Sequence, residues 1–503
     1  MSATASYGSN SQGVIPLWVL LCIATLFSAG IVAFGALAIL GLIGLFVFIA
    51  FIRYPILGVY ATAAALLLQG SSGVLGVVNE NAPVAITLAQ LVGLAALAAW
   101  ATNTLLTKTA IRWNWPITLL VGFILWSLVG TLLGAQPDAQ FPHWMRLVTR
   151  LAFFLLAVNV LRTPGQMRNF IIVLLVCGFF MALSAVTQYF MPDMQVAGAG
   201  AWASVGSTDS AYIDQESLTG DAAVRVSGRA GHSNWLALIM LLILPLNAYW
   251  FSVAKTRRTK LFIAFVLFIE VAALVLTFTR TGLIIGLVVG LLILVRRMAR
   301  INPLRVFSGL AALVIAFSML PNAYKERVLN PSQYTQSRSV ISRLALQEAA
   351  VRYFAENPVV GLGQGGFGLD FIYERNQTAG VMKYMVEQQG GQAIFIGTHN
   401  MYLQLGADTG IVGLGLFLAF FYVLVKRLLR AEKQFRQTGN VPAEKLASAL
   451  IISLVGFVLC MVFLHALHQE IWWMIAAAAV ALPMIDYSGV ATDQDVQDEA
   501  AAA

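Results

Sequence analysis

GTHNMYLQLGADTGIVGLGLF, from Gly397 to Phe417, starts as a polar knot and continues as an apolar helix. Thr398, His399 and Asn400 open it, and Gly406, Gly410 and Gly413 recur at spacings that put them on one helical face with Tyr402 and, a turn earlier, His399. A face of small residues lets a second membrane helix come close. The pattern predicts a histidine at a helix mouth, at the water boundary, above a tightly packed seam. Asp408 falls about half a turn round from His399 and well down the helix, so it is expected to pack rather than to orient the imidazole.

The rest of the chain has the same apolar character. Of 503 residues, 59% are hydrophobic and 11% charged, against about 25% charged in a soluble domain; the mean hydropathy is +0.80. Apolar runs near the roughly 20 residues that cross a bilayer, joined by short charged connections, indicate helices rather than a barrel. The expected fold is an all-α polytopic membrane protein with about 14 (12 to 14) transmembrane helices. The expected spans are Val14–Gly30, Phe34–Ile52, Pro55–Gly70, Val84–Ala101, Pro116–Gly134, Arg146–Leu161, Arg168–Phe190, His232–Ser252, Leu261–Phe278, Gly282–Arg296, Leu304–Leu320, Met401–Val425, Lys445–His465 and Ile471–Tyr487. Cys22, Cys177 and Cys460 all fall inside apolar runs, without disulfide or metal spacing. MSATASYGSNSQ lacks the basic start and small-residue cleavage site of a signal peptide, so the first run reads as a retained span.

The net charge of +8 does not point to nucleic acid, because the basic residues are dispersed through short loops and have a membrane explanation. With the N-terminus inside, well over half of the 31 Lys and Arg fall in short connections on one side. Both termini are therefore expected in the cytoplasm. Two large loops then lie on the outer face, at 191–231 and 321–398, dividing the chain into helices 1–190, the first loop, helices 232–320, the second loop, helices 399–487 and a disordered cytoplasmic tail 488–503. The second loop contains an amphipathic helix, Ser337 to Glu356, with Val340, Leu344, Ala345 and Phe354 broadly on one face. Asn357-Pro358 ends it and GLGQGGFG follows.

The outer face collects an unusual polar set: Arg225 and Arg229 before the helix at His232, Arg280 between two closely spaced spans, Arg343 on the loop helix, His399, and His465, His468 and Glu470 in the last connection. A charged residue near membrane depth is a functional candidate, although Arg280 alone could simply snorkel to headgroups. Guanidinium groups match phosphate oxygens bidentately, so converging arginines suit a diphosphate. A neutral imidazole beside such an anion can take a hydroxyl proton. His465, His468 and Glu470 are too sparse for a metal site, and Glu470 is expected to pair with an arginine or to end the loop. GLGQGGFG lacks the Lys and Ser/Thr of a nucleotide loop and reads as a flexible turn. DxD occurs only as Asp493-Gln494-Asp495 in the tail, so no metal-dependent sugar-nucleotide site, and no cofactor, is indicated.

Four ordered pieces, RVSGRAGHSNWLA (Arg225–Ala237), TFTRTG around Arg280, NPVVGLGQGGF (Asn357–Phe367) and HNMYLQLGADTG (His399–Gly410), resemble the O-antigen ligases and related O-antigen polymerases of the bacterial envelope. The resemblance implies a metal-independent glycosyltransferase of the inner membrane with its active site facing the periplasm. Such enzymes move a glycan from an undecaprenyl diphosphate carrier to a hydroxyl of lipid A–core oligosaccharide or of another carrier-linked glycan. It implies His399 as general base and Arg225 and Arg280 on the diphosphate. Arg229, Arg343, Asn400 and Tyr402 join the substrate-binding candidates by position, with His465, His468 and Glu470 behind them. A transporter or flippase of a lipid-linked substrate is the rival reading, but that class places ionisable groups near the midplane of repeated halves. Glu270 is the one acid deep in an expected span, and it reads more readily as paired with a neighbouring helix.

Overall fold

A computed structural model of the chain describes residues 36–68, 87–191, 226–297, 338–368 and 397–487. The expected spans Val14–Gly30 and Leu304–Leu320, Arg225 with most of the first outer loop, and the acidic tail lie outside those residues. Within them the chain is all helical: α1 (Ala36–Arg53), α2 (Pro55–Leu68), α3 (Leu88–Thr107), α4 (Trp115–Leu133), α5 (Pro137–Val160), α6 (Pro164–Phe190), α7 (Ser233–Val253), α8 (Arg257–Leu276), α9 (Arg280–Arg297), α10 (Arg338–Glu356), α11 (Met401–Gln437), α12 (Val441–Cys460) and α13 (Glu470–Ala481). Eight of these described helices, α3 to α8, α11 and α12, are long and apolar enough to cross a membrane.

Helix starts follow local chemistry. Thr87 with Gln90, and Thr163 with Gln166, form reciprocal capping boxes that satisfy otherwise orphaned N–H groups. Asn114 caps α4 ahead of Pro116. At the centre stands α13, apolar all round and buried along its length apart from Glu470, as such a helix must be. Trp472 stacks on Phe457 of α12 at 5.2 Å and meets Phe417 of α11 at 6.0 Å, while Trp473 meets Phe154 of α5 at 6.3 Å. Glu270 of α8, fully buried, accepts both its hydrogen bonds from the Asn247 amide of α7 at 2.6 and 2.7 Å, the interhelical pairing that its depth called for.

Three expectations change. The span expected from Arg146 begins instead at Pro137, with Pro137 and Asp138 in the first turn. Polar Gln140, His143 and Arg146 lower the hydropathy of a stretch that is nevertheless helical, and Gln140 is fully buried. On α10 the packing stripe is Leu346, Ala350 and Tyr353, which meet Leu362, Phe367 and Ala407 in a small core of their own, while Leu344 stays exposed. The third change concerns the glycines of α11. Gly410 is left-handed (φ 65°, ψ −171°) and breaks the helix.

The break is filled by the glycine segment after α10. In an unbroken helix the carbonyls of Ala407, Asp408 and Thr409 would accept from residues 411 to 413. Here Leu362 N–H donates to Ala407 O and Gly363 N–H to Asp408 O, both at 2.9 Å, and Trp126 Nε1 of α4 donates to Thr409 O at 3.0 Å. Ile411 N–H in turn donates to Pro358 O at 2.8 Å. Broken helices at membrane depth persist where other protein groups satisfy the freed backbone in this way. The glycines therefore do not form one helix–helix seam: Gly406 faces Phe354 of α10, Gly410 abuts the Val359–Val360 backbone, and Gly413 approaches Trp126. The expected flexible turn, Gly361–Gly368, is a buried and hydrogen-bonded insert, with Gly361, Gly363 and Gly365 all at positive φ. A Cβ on Gly361 would lie 2.5 Å from the backbone of Asp408 and Thr409, which is why that position requires glycine.

Candidate functional site

His399 precedes α11 and is one of three described non-glycine residues with positive φ (54°), a conformation that histidine tolerates better than most. Its neighbours hold it there. Thr398 Oγ1 accepts from Asn400 N–H at 3.1 Å, and the Asn400 side chain caps α11 by accepting from Tyr402 and Leu403 N–H. Thr398 N–H donates to Gln404 Oε1 at 2.9 Å, and Gln404 Nε2 donates to Asp408 Oδ2 at 3.0 Å. Asp408 also accepts from Gly365 N–H at 3.3 Å and Phe367 N–H at 3.0 Å. One network thus runs from the backbone beside His399, through Gln404 and Asp408, to the glycine insert. Asp408 does not orient the imidazole, as its position on the helix implied, but it anchors the frame that carries it.

Around the ring the groups are cationic or imidazole. His465 lies edge to face with His399 at 5.5 Å between centroids; Arg343 and His232 lie within its electrostatic reach. Burial, reinforced by Arg343, His465 and His232, pushes the His399 imidazole down from its ordinary value to about 3, so it is held neutral. Burial pushes His465 down to about 4. Burial of the His468 ring, reinforced by Arg150, Arg146, His143 and His465, pushes His468 down to about 3. Linked in this order, His232, His399, His465, His468 and His143 are all five histidines of the chain.

The remaining candidates are distributed as follows. Arg280 is the first residue of α9, and its neighbours Thr279 and Thr281 share a narrow cavity with Asn234 of α7 and Leu464 of the last connection, on the same end of the bundle as His465. Arg343 is carried towards His399 by the α10 packing stripe. Arg229 donates from Nε (2.9 Å) and Nη2 (2.5 Å) to Leu68 O at the C-terminal end of α2, where a cation is favoured. The Tyr402 hydroxyl donates to Val458 O of α12 at 2.9 Å, tying two helices. Glu470 pairs with Arg150, which also donates to His468 O at 3.3 Å; its carboxylate thus goes to an arginine rather than to His399. His465 and His468 sit in the irregular connection after α12 and not on a helical face. Among the described residues no group of three His, Cys, Asp or Glu is placed to hold a metal ion.

Sequence reasoning passed over Gln404, whose role rests on a side-chain bridge, and the α5 residues His143, Arg146 and Arg150. The last three were detectable as a stripe at i, i+3 and i+7, but His143 fell in a stretch read as loop while Arg146 and Arg150 fell in the expected span Arg146–Leu161.

No curated protein matches the chain. Residues 262–418 match the family model Wzy_C, O-Antigen ligase. The matched segment runs from α8 to beyond the Gly410 break, and so contains Arg280, Arg343, the glycine insert, His399 and Asp408. This match, over less than half of the chain, supports the O-antigen ligase superfamily.

Proposed function

We propose that this protein is a periplasm-facing glycosyltransferase of the inner membrane, of the O-antigen ligase type. Its donor is an undecaprenyl diphosphate-linked glycan and its acceptor a hydroxyl of lipid A–core oligosaccharide. The observation that supports this reading best is the placement of His399, held by the Thr398–Gln404–Asp408 frame against His465 and within electrostatic reach of Arg343, inside the segment shared with the family.

His399 takes the proton of the acceptor hydroxyl as the oxygen attacks the anomeric carbon. The new glycosidic bond forms while the bond from that carbon to the carrier diphosphate breaks, and the electron pair leaves with the diphosphate. Arg280, Arg343 and Arg225 stabilise the charge that grows there, which assigns to arginine the work a metal performs elsewhere. Arg229 contributes through the order of its own loop. An imidazole pushed far down is a weak base, but a bound diphosphate offsets the surrounding cations and returns its basicity towards the working range. Purified protein incubated with undecaprenyl diphosphate-glycan and lipid A–core should yield glycosylated core. Growth of a second carrier-linked glycan instead would make it a polymerase, and lipid translocation without any new glycosidic product would contradict the enzyme reading.

A further inference from the structure

The cationic groups on this end of the bundle form two sets. Arg343 and His232 lie within electrostatic reach of His399, whereas His143, Arg146 and Arg150 lie within reach of His468, and the two sets share only His465. In the second set Arg150 is already committed, to Glu470 and to His468 O. Arg146, one turn further out on the same stripe of α5, is different: its exposed guanidinium makes no hydrogen bond or ion pair among the described residues. His468 lies within electrostatic reach of Arg146, and its Nδ1 is buried with no partner among the described residues. The His143 ring packs over the glycine insert, 2.9 Å from where a Gly365 Cβ would stand. Among the described residues the carboxylate paired in this group is Glu470, which Arg150 neutralises, and Arg146 leaves the set with a positive charge. A guanidinium with no partner among the described residues, on the same end of a membrane-embedded bundle as the imidazoles of His143 and His468, is suited to hold an oxyanion.

We propose that Arg146, His143 and His468 form a second anion subsite, separate from the donor arginines, which takes an oxyanion of the acceptor: a phosphate on the core oligosaccharide, or the diphosphate of a carrier-linked glycan. The proposal rests on the glycan-transfer reading for the identity of the acceptor. One histidine, His465, separates this subsite from His399. An acceptor held there by its anion would present a hydroxyl to the base, while the donor diphosphate occupies the Arg343 side.

The test is acceptor binding to nanodisc-embedded protein without donor, so that no turnover is needed. The probes are phosphorylated lipid A–core, the same material after chemical dephosphorylation, and carrier-linked glycan with a diphosphate or a monophosphate. Loss of the relevant phosphate should weaken binding to the native protein by about ten-fold or more, the size of a charge-assisted hydrogen bond. Arg146→Gln should abolish that difference without changing donor affinity, and Arg146→Lys should restore part of it. The probe pair that shows the difference identifies the source of the anion. Equal affinity of Arg146→Gln and native protein for every phosphorylated probe would overturn the subsite, as would an equal loss of donor affinity. Selective binding without any glycosidic product would retain the subsite and contradict the transferase; transfer that is indifferent to Arg146 would do the reverse.

Discussion

His399 and His465 meet edge to face, their ring centroids 5.5 Å apart and their planes at 78°. The ring of His465 is wedged against Gly397, where a Cβ would lie 2.6 Å from its Cγ, Nδ1 and Cε1 atoms. The pair therefore depends on a hydrogen atom at position 397. Gly397→Ala should push His465 onto His399 and lower kcat by about ten-fold or more, with little change in donor KM. Steady-state kinetics checks this, and an unchanged kcat would show that the contact does not set the position of the base.

The frame behind His399 should be separable from the base itself. Asp408→Ala removes the acceptor of Gly365 and Phe367 N–H and of the Gln404 amide, leaving buried donors unpaired, and should cost at least about 2 kcal/mol. Thermal unfolding in detergent should show the loss, with reduced transfer as its consequence. Asp408→Asn, which retains one acceptor oxygen, should fall between.

Gly410→Ala tests the broken helix. The left-handed backbone at Gly410 disfavours any side chain, and a Cβ would collide with Val359 O. The variant should lose about 1–3 kcal/mol from strain alone and should expose the Gly361–Gly368 insert to proteolysis. A variant as stable and resistant as the native protein would contradict the break.

Titration gives a prediction with a definite sign. The folded-state values of His399, His465 and His468 are pushed down to about 3, 4 and 3, below the unfolded value of about 6.5. Between those limits the unfolded chain binds more protons, so stability should fall as the pH is lowered through about 6.5 towards 4. His468→Gln should flatten that dependence in a melting series. A bound diphosphate raises His399, so the acid limb of kcat should lie at higher pH than that of kcat/KM. Coincidence of both limbs near 6.5 would mark an ordinary exposed imidazole.

The helices were readable because apolar runs and local caps such as Thr163–Gln166 specify them within a few residues. His399, Arg280 and Arg343 were readable as candidates because polar groups are conspicuous against a membrane composition. What the residues concealed depends on contacts distant in the chain. The glycine insert looks like a free turn until Leu362 and Gly363 are seen to satisfy Ala407 and Asp408. Gly410 looks like one rung of a small-residue face until its φ shows the break. The first turns of α5 look like loop because Gln140 is polar, although its Nε2 donates to Leu362 O from a fully buried position. Hydropathy cannot distinguish a polar residue that faces water from one that is buried against a partner.

Arg280 offers the contrast between snorkelling and recognition. Arg280→Lys preserves the charge and loses the bidentate fork, so transfer should drop by about ten-fold or more while expression and membrane insertion hold. Full activity would favour the snorkelling role.

The most direct measurement is transfer by purified His399→Ala, in parallel with native protein, using undecaprenyl diphosphate-glycan and lipid A–core. The variant should insert, melt near the native temperature and still bind donor, yet yield no glycosylated product above background. Product formation near the native rate by that variant would contradict His399 as the base.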